Sequence, residues 1–69
     1  MAERSVPNPA RDRAVQDAVN AIAVYTQAIN DYGRHSAEAE SAHEAAKDKT
    51  REARALGAVD ADFVATRPA

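Results

Sequence analysis

Between Pro9 and Tyr32 the apolar positions Val15, Ala18, Ile22, Tyr25, Ile29 and Tyr32 recur at intervals of three, four, three, four and three. That rhythm is the seam of an amphipathic helix, and the two-residue alternation of a strand is absent. Ala14, Val19, Ala21 and Ala28 widen the stripe, and Val24 lies farther round. The helix is therefore apolar over much of its circumference, which predicts contact with more than one neighbour. Asn8 before Pro9 is a helix-start signal, because the Asn side chain accepts from an orphan N–H and Pro loses nothing at the first helical position. Gly33 supplies the positive φ that closes the helix at Tyr32.

A second helix is expected over residues 36–56, capped by Ser36 and stopped by Gly57. Its candidate stripe is Ala39, Ala42, Ala46, Ala53 and Leu56, interrupted at Lys49 or Thr50. Glu38, Glu40 and Glu44 sit towards its start, and Lys47, Lys49, Arg51 and Arg54 towards its end, an order that complements the helix dipole. Glu44 with Lys47, and Arg13 with Asp17, are spaced to pair along their helices. The short connection Gly33-Arg34-His35 folds the helices back on each other. The predicted fold class is all-α: an antiparallel two-helix hairpin over residues 9–57, packed in an oligomer or larger assembly. Residues 1–8, with the Pro-Asn-Pro run, form an extended N-terminal arm. Residues 58–69 form a C-terminal docking segment, in which Asp60 caps a short turn bearing Phe63 and Val64, and Arg67-Pro68-Ala69 is extended.

Composition sharpens the need for company. Of 69 residues 45% are hydrophobic, yet 18 are alanine, and Leu, Ile, Val and Phe together number ten. One small domain is the limit. The first helix supplies Val15, Val19, Ile22, Val24, Tyr25, Ile29 and Tyr32; the second supplies only Leu56 among large apolar groups. Burying the first helix against another copy or another protein is the natural remedy. The expected partner-binding residues are Val15, Ile22, Tyr25, Ile29 and Tyr32, joined by Val59, Phe63 and Val64 with Arg67 at the polar rim. Phe63 has two available roles. It docks into a neighbour, or it caps its own hairpin over Val15 and Leu56.

Candidate chemistry is thin. There is no cysteine, and two glycines make no phosphate loop. Ser5, Ser36 and Ser41 have no histidine–carboxylate neighbourhood to activate them. Glu40-Ser41-Ala42-His43 has the Glu-x-x-His spacing of a bundle metal site, but the hairpin register sets His43 opposite Tyr25, among Val24, Thr26 and Gln27, with no facing carboxylate. Neither metal, cofactor nor catalytic residue is expected. The longest apolar run, Ala21 to Tyr25, is too short for a membrane span or a signal-peptide core, so the expected location is cytoplasmic or within a virion. Net charge is −2. Folding at Gly33 gathers Arg4, Arg11, Arg13, Lys47, Lys49, Arg51, Arg54 and Arg67 at the open end, interleaved with Glu3, Asp12, Asp17, Asp48, Glu52, Asp60 and Asp62. The turn end, with Asp31, Arg34, Glu38, Glu40 and Glu44, is the acidic one. Interleaved signs suit protein contacts better than a phosphate backbone, which wants a uniformly positive face.

The expectation is a non-enzymatic helical hairpin that acts by protein–protein contact, as a small structural or adaptor component of a larger assembly. A phage or virion accessory protein fits that description. The alternative is a free regulator, either an inhibitor of one host protein or a nucleic-acid-associated hairpin.

Overall fold

A computed structural model describes residues 8–69, so the expected N-terminal arm lies outside the described residues except for Asn8. Helix α1 runs Pro9–Tyr32, α2 Ala37–Ala55 and α3 Asp60–Ala65, with no strand among the described residues. The long helices pack antiparallel as a hairpin, and α3 folds back onto α1. The boundaries follow from the caps. Asn8 Oδ1 accepts from Arg11 N at 3.0 Å, and Ser36 Oγ accepts from Ala39 N at 3.1 Å while donating to Gly33 O at 2.7 Å. Gly33 closes α1 at φ 95°, its N–H reaching Ile29 O.

The interface between α1 and α2 is made of alanine. Ala39, Ala46 and Ala53 are buried on α2, one every two turns. On α1 the buried residues are Ala14, Val15, Ala18, Val19 and Ala28. The seam is thus rotated relative to the stripe expected from sequence. Ala14, Ala18, Ala21, Tyr25 and Ala28 form the heptad-like line towards α2, while Val15, Val19 and Ile22 fall about a quarter turn or more round the helix. Alanine against alanine lets the two backbones approach closely, and a larger side chain in that line would hold them apart. Ile22 is consequently 43% exposed and Tyr32, the last helical residue, 60% exposed. Leu56, expected in the α2 stripe, is also exposed, because α2 ends before it.

The C-terminus of α2 ends in a Schellman arrangement: Ala58 N donates to Ala53 O and Gly57 N to Arg54 O, both at 3.0 Å, with Gly57 at φ 101°. This turn buries Ala58 beside Ala14, Val15, Val19 and Ala53, and Phe63 of α3 packs on that cluster. Phe63 therefore caps the open end of its own hairpin over Val15, without the help of Leu56. The start of α3 also differs from expectation. Val59 is the N-cap, and since it has no side-chain acceptor, Asp62 reaches back to accept from Val59 N at 2.9 Å. Asp60 turns instead to Arg54, 2.7 Å away, and the Arg54 guanidinium lies 5.2 Å from the centroid of the Phe63 ring.

Among the surface pairs, Lys47 meets Glu44 at 3.7 Å. Arg13 and Asp17 form no ion pair, in keeping with the basic-before-acidic order that a helix favours less. No polar or charged side chain among the described residues is buried.

Two consequences are measurable. Ala39→Leu and Ala53→Leu should each cost about 1–3 kcal/mol by overpacking the seam. Ala45→Leu, exposed on the same helix, should leave the melting midpoint nearly unchanged, so equal midpoints for all three variants would refute the close-packed seam. Phe63→Ala should destabilise by about 2 kcal/mol, less than a fully buried Phe costs. A midpoint equal to wild type would show that the ring contributes nothing at the open end.

Candidate functional site

The large apolar groups that the alanine seam pushes aside define the surface. Ile22, Val24, Tyr32, Leu56, Val59 and Val64 are all exposed, Val64 at 86%. By contrast, Val15 is 3% exposed and spent on the chain's own core, so it offers nothing to a partner. Tyr25 and Ile29 are half-buried. Of the nine residues expected from sequence to meet a partner, the structure brings Val15 and Phe63 together inside the fold and leaves Ile22, Tyr32, Val59 and Val64 outside it.

One side of the hairpin has an open groove of about 430 Å³ lined by Val19, Ile22, Ala23, Thr26, Gln27, Phe63 and Pro68. Its walls come from α1 on one side and from α3 with the tail on the other. The tail is tied down by two residues whose role is invisible in the sequence pattern. Gln16 Nε2 donates to Arg67 O at 2.8 Å and to Asn20 Oδ1 at 2.9 Å. Asn20 Oδ1 also accepts from Ala69 N at 2.8 Å. Both partners are backbone atoms about fifty positions away, and no local spacing encodes such a pairing. The Arg67 side chain itself is exposed and has no ion pair among the described residues.

A second, shallower depression lies between Val24 and the start of α2, lined by Val24, Ala37, Glu38, Ser41, Ala42 and Ala45. Val24 is two residues from Ile22, and hence about 200° away round α1. The expectation of more than one apolar face on the first helix thus takes a concrete form, with one patch on each side of the hairpin.

Of the residues considered for a metal site, His43 has another engagement. His43 stacks on Tyr25 with ring centroids 4.9 Å apart and an interplanar angle of 27°. This is the register that the short connection predicts, and it places an aromatic ring where a metal site would need a carboxylate. No three His, Cys, Asp or Glu side chains among the described residues converge on a common point. Among them, too, no helix is long and apolar enough to cross a membrane.

No protein-family model, no curated protein and no solved structure matches the chain.

Proposed function

We propose that the protein is a helical-hairpin module that acts by protein–protein contact, as a small structural or adaptor component of a larger assembly, and not by catalysis. The observation that carries this reading is the make-up of the core: alanines with Val15 and Val19 pack inside, while Ile22, Val24 and Tyr32 of α1 stay exposed. A helix packed only for its own hairpin would put its largest apolar groups against its partner helix. Exposed groups of this size on two sides of one short helix are what a chain seated between neighbours requires. A virion or phage particle is one setting in which so small a component would be repeated.

The test is the size of the native particle. A tagged chain recovered from its own cells or particles should elute well above its 7.4 kDa monomer mass. The double variant Ile22→Lys, Val24→Lys should return it to the free chain while retaining its helical circular dichroism. A wild-type chain that elutes as a free monomer would overturn the reading.

A further inference from the structure

We infer that residues 67–69 are a latch on the Ile22 groove, shut by a main-chain clamp of two side-chain amides, Gln16 and Asn20, and able to open while the hairpin stays folded. The inference goes beyond the contact reading and does not depend on it, since it concerns the chain by itself.

The clamp is an unbroken chain of donors and acceptors. Gln16 Nε2 carries two N–H bonds and uses both, one to Arg67 O at 2.8 Å and one to Asn20 Oδ1 at 2.9 Å. Asn20 Oδ1 has two lone pairs and also uses both, the second accepting from Ala69 N at 2.8 Å. Residues 16 and 20 are one helical turn apart, so α1 itself holds the two amides side by side. The groups they take are the carbonyl before Pro68 and the N–H after it. Pro68 lies between them and has no N–H of its own to satisfy. The clamp therefore reads main chain: the Arg67 side chain is exposed, and Ala69 offers only a methyl group.

The way α3 ends makes this segment separable from the fold. Upstream, α3 is fixed by Phe63 on the core cluster and by Asp60 against Arg54. Thr66 is extended at φ −96° and ψ 133°, and its Oγ1 donates back to Asp62 O at 2.9 Å, which closes α3 and sends the chain towards α1. Beyond Thr66 no residue is helical, and Arg67, Pro68 and Ala69 are all exposed. Two hydrogen bonds and the apolar contact of Pro68 oppose the conformational freedom that these residues recover on release. The core cluster of Ala14, Val15, Val19, Ala53 and Ala58 includes none of them, so opening is local. What changes is the groove. Pro68 is part of its wall, and with the latch open Val19, Ile22 and Phe63 lie on one unwalled apolar face.

Nuclear magnetic resonance on the purified full chain tests this, with helical circular dichroism as the check on folding. Gln16→Glu keeps the size of the side chain but sets an acceptor against two acceptors. The Ala69 amide should then exchange at least about threefold faster than in the wild type, and the Ile22 methyl signals should shift. Asn20→Asp keeps an acceptor for both of its partners and should leave Ala69 protected. On the other side of the clamp, Ala69→Pro removes the N–H. It should free the Gln16 side-chain amide and shift the Ile22 methyl signals, whereas Arg67→Ala should do neither. All four variants should keep the wild-type helical signal. Wild-type exchange of Ala69 at the rate of an unstructured peptide, unchanged Ala69 exchange in Gln16→Glu, or an Arg67→Ala effect equal to that of Ala69→Pro would each overturn the latch. Loss of helical signal in both Gln16→Glu and Ala69→Pro would also overturn it, because residues 67–69 would then be needed for the hairpin itself.

Discussion

The close approach of α1 and α2 through facing alanines is the constraint on which everything else depends. Ala18, Ala39 and Ala53 have no exposed surface at all, yet each buries only a methyl group. Backbones brought this near gain dispersion contacts and exclude water, but the transfer term per residue is small. No large side chain is fully buried among the described residues. The hairpin thus has well-defined geometry and a thin core, a combination that leaves little reserve of stability.

The open end is where the chain supplements that core. The Schellman turn at Gly57 brings Ala58 back under Ala53, which positions α3 to lay Phe63 over Val15 and Val19. Arg54 links the parts, bonding Asp60 through one edge of its guanidinium while lying over the Phe63 ring. Gln16 and Asn20 then hold the tail by its backbone. These contacts lie at the open end of the hairpin.

The proposed function rests on what is left over. The described residues carry an apolar patch on each side of the hairpin, around Ile22 on one and Val24 on the other. The proposed role in protein–protein contact rests on these two patches.

Much of this was legible in the sequence. Asn8-Pro9, Gly33, Ser36 and Gly57 set the helix ends through local backbone chemistry that acts within a turn or so of each residue. The three-residue connection dictated the antiparallel register, and so the meeting of Tyr25 with His43. What the sequence left open was which line of α1 faces α2: the stripe through Ile22 and Tyr32 is the more hydrophobic, but the seam that formed minimises the distance between backbones. The choice between them depends on the opposing helix. Because α2 offers methyl groups in its line, the matching line of α1 is the alanine one, and Ile22 is displaced. The placement of Phe63 within its own chain, the reach of Asp62 to Val59, and the anchoring of the tail by Gln16 and Asn20 were likewise decided only in three dimensions. Each depends on atoms brought together by the fold after the helices have packed, and periodicity along one helix holds no record of its neighbour.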